Sequence, residues 1–370
     1  MKVAIVHDYI KEFGGAERVL EALCEIYPDA HIYTAFYSPS FLGPHKERFK
    51  NLKIHTTWFQ YVPFKNKLLS YFRLIAPMVF GRIDLSGYKL VITSATGTYT
   101  SPNFVKIGPK TKLICFCHTP PRYLYGYSTA APWKSVWWRK ILLVLGIIPM
   151  HLLRLYDFKA AQKPHLFIAN SKEVKSRIQK FYRRDSTVIY PPVDVASSNS
   201  SMKRTYFLAG GRLARPKHVD LAIEVCTKLN LPLKIFGREF SGYGSELRGL
   251  AGSNVEFLGE VDDKKKQELF TGAKAFIFSS QDEDFGIMPI EAMAKGAPVI
   301  AYNSGGVKET VLDGKTGIFF DELTVNSLSD AIKKFDKIKF NTDEIVKHAQ
   351  KFSKERFKKE IKRFVDKSLR

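Results

Sequence analysis

Two glutamates eight positions apart, Glu283 and Glu291, bracket a glycine turn in QDEDFGIMPIEAMAKGAPVIAYNSGGVKETVLDGKTGIFF, residues 281–320. After Gly286 an apolar run reads as a helix starting at about Ile287. A helix start offers free backbone N–H groups and the positive end of a dipole. Phosphate and sugar oxygens bind readily there. Glu291 sits about one turn further in, placed to accept hydrogen bonds from hydroxyls such as those of a ribose. A short buried strand, Pro298–Ala301, and a second glycine turn, Gly305-Gly306, follow. The segment is suited to holding a nucleotide sugar.

Three other constellations bear on chemistry. Gly210-Gly211-Arg212-Leu213-Ala214-Arg215-Pro216-Lys217 follows a strand. Its glycines let backbone approach a ligand, and Arg212 and Lys217 can each neutralise diphosphate oxygens. Taken alone the loop also fits a solvated basic surface; the downstream glutamates favour the phosphate reading, with no part assigned to Arg215 or His218. At the N-terminus, Gly14 and Gly15 follow the first strand and Ala16–Ile26 reads as a helix, a start suited to an anion or a sugar hydroxyl, although a plain tight turn has the same pattern. The loose G-x-G-x-x-G pattern fails here, which disfavours a nicotinamide enzyme. In FCHTPPRY, His118 ends a buried strand at its carboxyl edge, where open α/β sheets bind ligands. A lone histidine is usually structural; the strand-end position argues for a part in a ligand site.

The E–x7–E spacing with its embedded FG, followed by EAMAKGAPVIA and GG–xx–E, resembles the donor site of retaining glycosyltransferase family 4. The likeness runs from MKVAIVHDY to the C-terminal KFSKERF. It implies the α/β GT-B fold, two Rossmann-like domains facing a central cleft. It further implies that Glu291 binds the nucleotide ribose and Glu283 the transferred sugar, with Gly286, Ile287 and Met288 meeting sugar and phosphates. Arg212 and Lys217, beside Gly211, would hold the donor diphosphate, and the Gly14-Gly15 loop would line the cleft. His118 would hydrogen-bond the donor sugar, and Arg122 and Tyr123 would meet the acceptor. HTPPRYL, DLSGY–LVITSA and YPPVD look most like the bacterial mannosyltransferase branch that builds O-antigen and related surface polysaccharides. That suggests transfer of mannose from GDP-mannose to a lipid-diphosphate-linked glycan or polysaccharide. Lys89, where that branch often carries an acid, and Lys217-His218 in place of Lys-Arg depart from the pattern, so a UDP-sugar remains the rival donor. An epimerase or phosphorylase of the same fold is the nearest alternative activity.

Two patterns point elsewhere and are outweighed. Asp282-Glu283-Asp284 mimics a D-x-D metal motif, but Arg212 and Lys217 supply phosphate charge from the protein, so neither metal nor cofactor is expected. The glutamate pair also suggests a hydrolase with two carboxylates about a glycosidic bond; the resemblance assigns them to ribose and sugar hydroxyls instead.

The chain of 370 residues is long enough for two cores. Its net charge of +22 is unevenly spread: residues 1–200 carry 28 Lys and Arg against 12 Asp and Glu, and between 51 and 150 Asp84 is the sole acid. Such asymmetry calls for an anionic partner. No helix-turn-helix, RRM or zinc pattern supports nucleic acid, whereas anionic lipid head groups or a lipid diphosphate fit. The tracts 57–80 and 132–155 mix aromatic and basic residues, with Trp133, Trp137 and Trp138 beside Lys134, Arg139 and Lys140. These suit a membrane interface, and equally solvated core helices. Ile141–Leu153, interrupted by Pro149 and His151, is short of the roughly 20 residues that span a bilayer. The four cysteines form no C-x-x-C pair, and Met1 leads straight into a strand, so the reading is a cytoplasmic protein touching the inner face of the membrane.

Positioning these groups requires two strand–helix repeats. Strands are expected at Val3–Val6, Lys53–Thr56, Leu90–Thr93, Leu113–Cys117, Leu166–Ala169 and Thr187–Ile189. After the proline step Tyr190–Asp194 and the polar ASSNSSMK come Thr205–Ala209, Leu233–Phe236, Val255–Leu258, Ala275–Phe278 and Pro298–Ala301. The expected domains are 1–192, binding acceptor, and 193–352, binding nucleotide sugar. A helix within 353–370 is expected to return to the first domain.

Overall fold

The computed structural model describes residues 1–65, 71–98, 102–127, 137–195, 203–240 and 242–370. They form two compact units: one holds Met1–Tyr127, the chain leading to Pro192 and Phe357–Arg370; the other holds Val193–Arg356.

In the first unit the strands are β1 (Val3–His7), β2 (His31–Thr34), β3 (Lys53–Thr56), β4 (Leu90–Ala95), β5 (Lys112–Cys117), β6 (Leu166–Ala169) and β7 (Thr187–Val188). They pair in parallel in the order β3-β2-β1-β4-β5-β6-β7. The order reverses between β1 and β4, which opens a crevice at their carboxyl ends. Buried apolar runs such as VAIVH and LVITSA suit strands covered on both faces. One face packs on helix Gly15–Ile26 through Val19, Leu20 and Leu23, and on the C-terminal helix Lys354–Leu369 through Phe357, Ile361 and Val365. That last trio recurs every fourth residue, the spacing of one helical stripe. Phe36, Phe59, Val79 and Phe80 pack with Ala4, Val6 and Val91 in a second cluster. Helix Lys172–Tyr182 begins at a side-chain cap: Ser171 Oγ accepts the Val174 N–H at 3.0 Å.

The second unit has β8 (Tyr206–Gly210), β9 (Leu233–Phe236), β10 (Val255–Phe257), β11 (Ala273–Phe278), β12 (Val299–Tyr302) and β13 (Gly317–Phe320). Their order, β10-β9-β8-β11-β12-β13, is again parallel, with its reversal between β8 and β11.

Two strands escape the sequence reading. β2 is four residues long and buries only alternate side chains, so it lacks an apolar run. β13 begins with Gly317, where a Cβ would strike the Val299 carbonyl. Close approach to β12 therefore requires the residue that weakens strand propensity. The apolar stretch around Ile141 lies inside a 25-residue helix, Trp137–Ala161, with Pro149 within it. Trp133 and Lys134 lie outside the described residues, as does 196–202 of ASSNSSMK. Among the described residues no helix is long and apolar enough to cross a membrane.

Candidate functional site

In the second unit the chemistry collects where β8 and β11 diverge. β8 runs into Gly210 and Gly211, and Gly211 takes φ +110°, a left-handed conformation open to glycine. A Cβ there would overlap the Met288 side chain, so the loop lies directly on the start of helix Ile287–Ala294. Gly237, at φ +131°, closes on the Gly211 carbonyl in the same way. Gly286 precedes the helix at φ +89°, which turns the chain so that the Ile287 and Met288 amides begin its first turn.

Lys217 ends the turn Arg215–Lys217 after β8, and its ammonium contacts Glu283 Oε2 and Ser280 Oγ, the latter at 3.2 Å. Ser280 Oγ donates to Glu283 Oε2 at 2.7 Å. Lys217 and Glu283 side chains are 26% and 18% exposed, so both can reach a ligand. The glutamate loop is braced from behind: the Gly306 N–H donates to the Glu283 carbonyl at 2.8 Å, and a Cβ on Gly305 would land on that carbonyl. This is why the second glycine turn must be glycine. Glu291 is buried in the helix, where Lys266 Nζ lies 3.1 Å from its Oε1. Arg212 is exposed, its guanidinium 5.8 Å from the Phe240 ring centroid. Glu283 thus engages a lysine and a serine, and among the described residues no group of three or more His, Cys, Asp or Glu is arranged around a metal position.

Two basic residues left without a part resolve structurally. Arg215 forms a two-pronged pair with Glu246, at 2.7 and 2.5 Å, and that hydrogen-bonded partner holds the Glu246 carboxyl below the usual range. His218 takes φ +45° and starts helix Val219–Lys228. Ser280 and Lys266 were missed by sequence reasoning. Ser280 could have been found, since it lies at the carboxyl end of β11; Lys266 sits in a charged helix with no local signal.

In the first unit, His118 follows β5 and is buried, with Nε2 2.9 Å from Ser94 Oγ. Burial, and after it the nearness of His7, push its imidazole down to about 3. The ring is therefore neutral at physiological pH. Gly14 caps helix Gly15–Ile26, but its N–H already donates to Glu17 Oε2 at 2.9 Å. One of the amides expected for a ligand is thus taken by the chain itself. Tyr123 stacks under the Arg73 guanidinium at 3.9 Å from its ring centroid, and its buried hydroxyl has no hydrogen-bond partner among the described residues. The Arg122 carbonyl accepts from the Tyr125 and Tyr127 amides, which fixes the turn that carries both residues. Nearby, Asp157 is fully buried and accepts the Tyr125 hydroxyl at 2.8 Å; burial pushes its carboxyl up to about 7.

Comparison with known proteins gives this geometry a context. The family model described as Glycosyltransferase Family 4 matches residues 13–197, half of the chain, and that described as Glycosyl transferases group 1 matches 192–359. Similar relatives include the α-1,3/1,6-mannosyltransferase ALG2 of Homo sapiens, 29% identical over 50% of this chain and 53% of that protein. The ALG2 of Mus musculus is 24% identical over 96% of this chain and 93% of its own. For the first relatives, the match spans about half of their length or less. These relatives are eukaryotic, so the likeness is not specific to a bacterial branch. Among solved structures, Anabaena HepE in complex with UDP superposes with a TM-score of 0.70 at 18% identity, covering 99% and 100% of the two chains. At that identity the likeness concerns the fold, which is GT-B.

Proposed function

Because the chain belongs to glycosyltransferase family 4, we propose that it is a retaining glycosyltransferase that moves a hexose from a nucleotide sugar to an acceptor hydroxyl. One observation carries the reading: Lys217 and Glu283, both partly exposed, cluster on buried Ser280 beside the N-terminus of Ile287–Ala294, where β8 and β11 diverge. A cation, a hydrogen-bonding carboxylate and free amides at one switch point are what a diphosphate-linked sugar requires. In this reading the diphosphate takes Lys217 and Arg212, while Glu283 turns to the sugar hydroxyls and Glu291 to the ribose. The acceptor oxygen bonds to the anomeric carbon on the face from which the diphosphate departs. The acceptor proton passes to a departing phosphate oxygen, so the step closes without an enzymic nucleophile. Lys217 and Arg212 stabilise the charge growing on the leaving group, the largest kind of catalytic term.

Mannose from GDP-mannose is the donor we favour, on the mannosyltransferase relatives; their eukaryotic sources replace the bacterial branch as its basis. A lipid-diphosphate-linked glycan is the proposed acceptor. Supporting contact with an anionic membrane, Ile148 and Leu152 stand exposed on helix Trp137–Ala161, as do Leu74 and Met78 on a second segment, on the unit with the excess basic charge. A thermal-shift panel of GDP, UDP, ADP and their sugars tests the donor: GDP and GDP-mannose should raise the melting temperature most. A UDP preference would replace the donor, turnover without any acceptor would indicate an epimerase, and no shift with any nucleotide would overturn the transferase reading.

A further inference from the structure

A buried chain of four polar side chains runs along the carboxyl edge of the first sheet. His7 ends β1 opposite Ser94 of β4. Ser94 in turn lies opposite Phe116 of β5, and His118 is two residues further on, so Ser94 and His118 rise from one face. Ser94 Oγ is 3.0 Å from His7 Nδ1 and 2.9 Å from His118 Nε2. At the far end His7 Nε2 faces Glu17 Oε1 at 3.5 Å, while Glu17 Oε2 accepts the Gly14 N–H. All four side chains are buried.

The distances along this chain allow two directions of donation, and the Glu17 carboxylate at its end favours one. A serine hydroxyl holds one proton, so Ser94 can donate to one imidazole and must accept from the other. The Glu17 carboxylate lies 3.5 Å from His7 Nε2, too far and too poorly aligned for a hydrogen bond, but its charge favours a proton over a lone pair on that nitrogen. A ring carrying that one proton has a bare Nδ1, which accepts from Ser94. Ser94 Oγ accepts from His118 Nε2–H, and His118 Nδ1 is left as a lone pair. Among the described residues that nitrogen has no hydrogen-bond partner.

We propose that Glu17, His7 and Ser94 are positioning residues that lock His118 in its Nε2–H tautomer, presenting Nδ1 as a hydrogen-bond acceptor for a sugar hydroxyl. The proposal rests on the donor-sugar reading of His118 and adds a selectivity to it. A lone pair at this position favours a neutral hexose and disfavours a sugar bearing a carboxylate there. The low proton affinity of the buried ring keeps it an acceptor across physiological pH.

The test is a long-range 1H–15N spectrum of the full chain with 15N-labelled histidine, His118 being assigned from the peak lost in His118→Gln. The expected pattern is a neutral ring protonated at Nε2. Ser94→Ala should release the lock, mixing the tautomers, and lower turnover about tenfold, the worth of one hydrogen bond. Nucleoside diphosphate affinity should stay within about twofold of the parent. A parent His118 that is charged or protonated at Nδ1 at pH 7 overturns the proposal, and this readout survives even if Ser94→Ala misfolds. So does a folded Ser94→Ala with unchanged tautomer and turnover. Failure of the parent to bind any nucleotide counts against the transferase reading instead, since the spectrum reports the tautomer by itself.

Discussion

Lys217→Ala separates a catalytic charge from a structural one. In the structure the ammonium touches Glu283 and Ser280, with both ends of the ion pair partly exposed. Pairs of that kind stabilise a fold by about 1 kcal/mol or less, and Glu283 keeps the Ser280 hydroxyl after the lysine is gone. The variant should therefore fold and melt close to the parent. Against a diphosphate the same ammonium makes a charge-assisted hydrogen bond worth roughly 1.5–3 kcal/mol, so nucleoside diphosphate affinity should fall about 10- to 100-fold. During transfer it faces growing negative charge, and losing such a group costs about 10²–10³ in turnover. Calorimetric titration with GDP and UDP reads the first effect; release of nucleoside diphosphate from the nucleotide sugar, with acceptor membranes present, reads the second. Lys217→Arg, which keeps the charge, should recover most of the affinity. Arg215→Ala serves as the control: its partner Glu246 lies on the surface, so both readouts should hold. A folded Lys217→Ala protein that binds nucleoside diphosphate within threefold of the parent refutes the assignment.

Three further outcomes follow from named contacts. Gly305→Ala places a Cβ on the Glu283 carbonyl at φ +69°; strain of that type costs about 1–3 kcal/mol, so melting temperature and donor affinity should drop together, and a loss of one without the other breaks the link between turn and glutamate loop. Asp157 titrates at about 7 in the fold against 3.8 when free, so the folded state holds the extra proton between those values and stability falls as pH rises through the window, by up to about 4 kcal/mol, then levels above 7. Asp157→Asn should remove that slope in thermal melts and be the more stable protein at pH 8; an unchanged slope would show the carboxyl is ionised in the fold. Replacing Ile148 and Leu152 together by Glu should cut sedimentation with anionic phosphatidylglycerol vesicles at least tenfold, since two apolar side chains are worth about 3 kcal/mol or more on burial; undiminished binding removes this helix face from the membrane contact.

Much of the second unit was legible because its constraints are local. Gly211, Gly286 and Gly305 occupy left-handed positions, and the motif spacing carried them. Leu233–Phe236 and Lys53–Thr56 were read to the residue, since each is a short run set off by turns. β2 and β13 were not: one is half-buried and the other begins with glycine, so each depends on its neighbours for its conformation. Among the proposed site residues, Lys217 and Glu283 form a pair that the sequence reading did not foresee, and Ser280 joins them only because β11 ends beside β8. The relay is the clearest case of what sequence withholds. His7, Glu17, Ser94 and His118 are spread over more than a hundred positions, and only the strand order β1-β4-β5 brings them together.

That strand order also explains why the two units, with unrelated motifs, place their polar groups alike. In each sheet the order reverses beside the first strand of the unit, β1 against β4 and β8 against β11. At such a reversal the connections leave to opposite faces, so the carboxyl ends there are uncovered while those elsewhere are roofed by crossover helices. Buried polar groups cost free energy unless paired, and here the pairs are internal: Lys217 with Glu283, and His7 with Ser94 and His118. A ligand at either crevice therefore exchanges existing partners rather than meeting bare charges. This predicts that donor binding is accompanied by rearrangement of the Lys217–Glu283 pair, and that removing Glu283 alone, which leaves Lys217 with Ser280 only, should weaken sugar contacts while sparing or even tightening the hold on free nucleoside diphosphate.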